Sequence, residues 1–86
     1  MQMNAKIVKT FPHGKTLKAV ANVTIEDDFV VHGVKVINSD NGLFVAMPST
    51  KIGEQFKDIC HPINSETRQR MTEIVLAAYS EVVPAN

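Results

Sequence analysis

From residue 17 to residue 26 the chain alternates between apolar and polar positions. Leu17, Ala19, Ala21, Val23 and Ile25 are apolar, while Lys18, Asn22, Thr24 and Glu26 are polar. A period of two describes a half-buried antiparallel strand. Residues 6–11 predict a shorter strand before it, with Ile7 and Phe11 on one face and Val8 on the other. Pro12-His13-Gly14-Lys15 joins the two by turn chemistry, proline presetting φ and glycine adding freedom. Glu26-Asp27-Asp28 is too polar to bury and predicts a short hairpin loop. Residues 29–37 are then apolar on both faces, Phe29, Val31 and Ile37 against Val30, Val34 and Val36. Such a strand is expected to be covered twice, by its own helix and by a partner chain. Asn41-Gly42 supplies the pair favoured for positive φ, and residues 43–47 form a strand ended by Pro48, which cannot donate to a ladder. Residues 49–55 read as a polar loop bending at Gly53, and residues 56–60 as a short last strand.

The period changes after Pro62. Met71, Ile74, Val75, Ala78 and Val82 fall three and four apart, an apolar stripe that docks a helix on a sheet. Asn64 or Ser65 can cap the free amides at its start, Glu66 suits the positive end of the helix dipole, and Pro84 ends the helix. Arg68 lies toward the edge of the stripe and Arg70 further round. The expected fold is α+β, an antiparallel sheet of about five strands with a C-terminal helix over about 64–82 packed on it.

Length and composition narrow the class. The 86 residues make a single domain, 1–86, with 44% hydrophobic and 21% charged side chains, the balance of a folded globular chain rather than a disordered one. A domain of this size buries only roughly 60–65% of its unfolded surface and gains from pairing with a second copy. The opening residues lack the apolar core of a signal peptide, and no apolar run reaches a membrane span. One cysteine, Cys60, leaves no internal disulfide. The expected location is the cytoplasm. Net charge is zero but unevenly spread. Up to Ile25 the charged residues are Lys6, Lys9, Lys15 and Lys18; between 26 and 40, Glu26, Asp27, Asp28 and Asp40 outweigh Lys35. A polyanion would have to be gripped by a local patch, which a dimer doubles.

Few residues suggest chemistry. Cys60 and His61, adjacent on an extended strand, point to opposite faces and cannot share a metal, so they read as a small buried thiol beside a boundary histidine. His13 and His32 have no ligand spacing. Asp27 and Asp28 read as solvated turn residues rather than an acid–base pair, and Gly33, Gly42 and Gly53 do not form a phosphate-binding spacing. No nucleophile–base pair is present, so the reading is not an enzyme, with no cofactor and no metal. Two features remain. Phe29, Val30, Val31, Val34 and Val36 are the expected homodimer interface. Lys51, Lys57, Arg68 and Arg70 form a basic group wherever the loop after Pro48 lies near the helix start, where amides and guanidinium forks suit phosphate. The alternative is an ordinary solvated face with a Glu66–Arg70 pair at i, i+4.

The stretch Asn41-Gly42-Leu43-Phe44-Val45-Ala46-Met47-Pro48-Ser49, with His61-Pro62-Ile63-Asn64-Ser65 and Thr67-Arg68, closely resembles the hallmark of the SpoVG family (stage V sporulation protein G). The resemblance extends through residues 19–25 and 28–37 and covers about 6–79. It implies a small cytoplasmic bacterial homodimer with an antiparallel sheet and C-terminal helix, acting in septation and sporulation control and binding DNA or RNA as a regulator. It further implies nucleic-acid contacts from the loop after Met47-Pro48-Ser49 and from the first helical turns, with Arg68 and Arg70 at matching positions. The chain departs from the family pattern after Ser49, where Thr50-Lys51 replaces the usual Lys-Arg pair. The residues expected to meet nucleic acid are therefore Lys51, Lys57, Arg68 and Arg70. The alternative reading is a protein–protein adaptor of the division machinery, in which the dimer presents its helix or a free sheet edge.

Overall fold

The computed structural model describes residues 1–83. The alternating segment forms β2 (Leu17–Ile25), flanked in the sheet by β1 (Met3–Thr10) and β3 (Phe29–Ser39), with β4 (Gly42–Ala46) completing an antiparallel meander in the order β1-β2-β3-β4. A separate two-stranded hairpin, β5 (Ser49–Ile52) and β6 (Gln55–Asp58), follows, and α1 (Ser65–Val82) lies across one face of the four-stranded sheet. The α+β class read from the sequence is the fold observed. The strand count differs in arrangement: residues 49–52, expected in a loop, are β5, and the last strand pairs with them rather than extending the main sheet.

The core lies between sheet and helix. Ala19, Ala21 and Val23 from β2, Val34 and Val36 from β3, and Val75 from α1 are fully buried, with Met3, Val45, Met47 and Met71 around them. The small alanines at the centre of β2 leave room for the helix side chains. Burying one valine or methionine contributes about 1.5–3 kcal/mol, and this layer is the main source of stability. Asn64 caps α1, its side-chain oxygen accepting the Thr67 amide at 2.7 Å. Of the stripe, Met71 and Val75 are buried, Ile74 and Ala78 half-buried and Val82 exposed; Leu76 and Tyr79, outside it, also pack on the core. Pro84 lies outside the described residues.

Bulges change which side chains share a face. Val23 pairs with Val31 but Ala21 with Val34, so β3 carries an extra residue at a step where Gly33 has φ +80°. Val31 thereby joins Val34 and Val36 on the helix-covered face, whereas strict alternation had set it opposite them. A second shift between Leu17 and Ala19 turns Leu17 to the other face, where it pairs with Ile37. The tip between β2 and β3 holds Glu26 and Asp27 at φ 56° and 57°, closed by the Asp28 amide on the Ile25 carbonyl at 3.1 Å. Two positive-φ central residues make a type I′ turn. In the β3–β4 turn the central residues are Asp40 and Asn41, and only Gly42, at φ 109°, takes the positive-φ conformation that the Asn41-Gly42 pair predicted for the turn.

Candidate nucleic-acid interface

The four basic residues singled out above sit on two separate bodies. Arg68 and Arg70 lie in the first two turns of α1, both exposed, and two helical positions place them about 200° apart on opposite flanks. The Arg70 guanidinium donates to the Met1 carbonyl, fastening that flank to the start of β1. Among the described residues the ion pair is that of the Met1 ammonium with Glu26, at 3.9 Å; the Glu66–Arg70 pair weighed from the sequence does not form. Both arginines therefore keep guanidinium donors free for an anion.

Lys51 and Lys57 belong to the hairpin. Thr50 pairs with Lys57 and Lys51 with Phe56, so the lysines project from opposite faces of the ribbon. Neither β5 nor β6 approaches α1 or the main sheet. Within one chain the basic residues do not converge at the helix start: they form an arginine pair and a lysine pair, held apart by the hairpin's projection.

The expected interface divides as well. Val34 and Val36 are fully buried beneath the helix and offer no surface to a partner. Phe29 (66% exposed) and Val30 (42%) are accessible, and Val31 is half-buried. Cys60 is exposed, which corrects the expectation of a buried thiol, because the chain after β6 runs along the surface instead of entering the sheet. His61 is exposed too, with Nδ1 3.0 Å from the Pro62 carbonyl. His32 Nδ1 meets Asn22 Oδ1 at 3.1 Å across β2 and β3. No group of three metal-ligating side chains occurs among the described residues.

One feature was not legible in the sequence. Where the hairpin joins α1, a largely apolar cleft of about 290 Å³ opens between the tip of β2–β3 and the helix start, lined by Phe29, Val31, Met47, Ile63 and Met71. Ile63 is 90% exposed at its rim. The available signal was Ile63 alone, a large apolar residue in a segment too polar and proline-broken to bury it.

A four-stranded meander covered by a C-terminal helix, with a projecting hairpin between them, is the architecture these residues define. The model of the SpoVG family matches residues 1–81, and the chain belongs to that family. Among its relatives is a protein of Alkaliphilus oremlandii named "Putative septation protein SpoVG", 46% identical over 80 residues, which span 92% of this chain and 85% of the relative. The Clostridium perfringens protein of the same name is 49% identical over 80 residues, 92% of this chain and 88% of the relative. A Listeria monocytogenes protein named "Putative septation protein SpoVG 2" is 51% identical over 67 residues, 77% of this chain and 66% of the relative. No helix among the described residues is long and apolar enough to cross a membrane.

Proposed function

We propose that this chain is a dimeric, non-catalytic regulator that acts in the cytoplasm on septation and sporulation and binds DNA or RNA through Lys51, Lys57, Arg68 and Arg70. The observation that carries the proposal is family membership over nearly the whole chain, with relatives named as septation proteins. Exposure of all four basic side chains supports the phosphate-binding part. Contacts of this kind position a nucleic acid without reading its sequence, and each adds to the salt dependence. With net charge zero, binding rests on these local groups. The dimer is supported by the accessible apolar side chains Phe29 and Val30, since a chain of this size has little core of its own.

Fluorescence anisotropy of a labelled DNA duplex and a single-stranded RNA tests the reading. Wild type is expected to bind at low salt and to weaken as salt rises. Arg68→Ala/Arg70→Ala is expected to lose at least ~10-fold in affinity and to flatten the salt slope by about two, with the oligomeric state unchanged. Absence of saturable binding to both probes at low salt overturns it. The adaptor reading would then stand, favoured by the exposed Ile52, Phe56, Ile59 and Ile63.

A further inference from the structure

We infer that the β5–β6 hairpin is an exchange arm: it docks in the Phe29–Met71 cleft of a second copy and there completes a basic site that no single chain contains. The inference rests on the dimeric reading above and adds to it the segment that makes the contact.

Three observations carry it. First, the arm has no support from its own chain. Neither strand approaches the sheet or α1, and every residue from Thr50 to Cys60 is exposed. A lone two-stranded hairpin is marginal in water, so an arm held only by its own ladder needs another surface. Second, it is apolar on both faces. Phe56 (72% exposed) lies on the Lys51 side, while Ile52 (58%) lies on the Lys57 side together with Ile59 (67%), whose amide extends the ladder to the Pro48 carbonyl at 2.8 Å. A ribbon with large apolar side chains on both faces is suited to lie between two bodies. Third, the surface accounts agree. The chain exposes 6163 Å², roughly 1,000 Å² more than a compact 9.5 kDa monomer. That excess is of the size of one partner's share in a standard interface, about 800 Å².

The seat is the apolar cleft at the arm's own base. Its rim holds the exposed Phe29 and Ile63, and its depth is closed by Met47 and Met71. A two-fold axis makes the exchange reciprocal, each arm filling the other copy's cleft, so the contact occurs twice and closes. Asn64 and Thr67 also line the cleft, immediately before Arg68. An arm seated there carries Lys51 and Lys57 to the start of the second copy's α1. With the Phe56 face in the cleft, Lys57 on the opposite face stays open to solvent, and a lysine and an arginine that stand apart in one chain meet at the same end of the helix.

Sedimentation velocity and inter-chain disulfide trapping test the inference. Phe56→Ser/Ile59→Ser is expected to weaken dimerisation at least ~100-fold, with far-UV circular dichroism unchanged because the arm touches nothing in its own fold. In trapping, Cys60→Ser/Phe56→Cys chains are mixed with Cys60→Ser/Phe29→Cys chains and oxidised. A covalent heterodimer in excess over either homodimer supports the exchange. A dimer that survives Phe56→Ser/Ile59→Ser and gives no heterodimer overturns the arm while leaving the dimeric reading intact. A wild type that stays monomeric at all concentrations overturns both. The composite site has its own readout: Phe56→Ser/Ile59→Ser should lower affinity for the labelled duplex at least ~10-fold although all four basic side chains remain, and undiminished affinity removes that part of the proposal.

Discussion

The sheet–helix body and the β5–β6 hairpin are built from similar residues and reach opposite ends. In β2, alternate positions disappear completely: Ala19, Ala21 and Val23 are inaccessible to solvent. In the hairpin Phe56, Ile52 and Ile59 are larger and more apolar, yet each remains more than half exposed. The difference lies in what stands opposite. The helix brings Met71 and Val75 into the core that β2 shares, whereas among the described residues no element covers residues 50–60. Hydrophobicity thus states a need for cover, and topology decides whether the same chain can meet it.

The largest expected effect breaks the comparison at its core. Val23→Asp buries a carboxylate without a partner, and urea titration should show a loss on the order of 3–5 kcal/mol, most of what a small domain has. The hairpin counterpart, Ile52→Ser, should change stability by less than about 0.5 kcal/mol when measured dilute. Equal losses from the two would show that the hairpin is part of the folding unit.

At the junction of the two regions, Asn64→Ala removes the cap on the Thr67 amide. Loss of such a cap costs about 1 kcal/mol, seen as a lower urea midpoint with an unchanged m-value. Although Asn64 is exposed, the cost falls on the body, because the cap fixes where α1 begins.

The smallest effect compares two turns. The β2–β3 tip holds Glu26 and Asp27 at positive φ without glycine, while the hairpin turn uses Gly53 at φ 65°. Asp27→Gly should raise stability by a few tenths to about 1 kcal/mol by removing a left-handed non-glycine residue. Gly53→Ala should loosen the hairpin and leave the thermal midpoint of the body within about 1 °C, since so small a change in ΔG barely moves the transition. Amide exchange of β5 and β6 against β2 reads the local effect.

Much of the body was legible because its signals are local. The alternation of 17–26 gave β2, the three-and-four spacing from Met71 gave α1, and Asn64 and Ser65 stood as the two candidates for its cap, of which Asn64 is the one used. The four basic residues were legible as exposed charges, but not as two pairs. Whether Lys51 lies near Arg68 depends on the direction taken by a hairpin that has no contact with the helix. The cleft was illegible for the same reason: Phe29, Met47, Ile63 and Met71 are far apart in sequence, and no local pattern joins them.

By itself the sequence determined the class of fold, the order of its elements apart from β5, and membership of the SpoVG family, since periodicity, turn residues and the Met47-Pro48-Ser49 and His61-Pro62 blocks are carried along the chain. Tertiary structure alone decided that a bulge at Gly33 sets Val31 beside Val34, that Val34 and Val36 are core, and that Cys60 faces solvent. It also decided that residues 49–58 leave the sheet as an arm. The physical reason is the same in each case: a side chain's cover is supplied by residues distant in sequence. A one-residue shift of register exchanges faces without altering the composition of the strand.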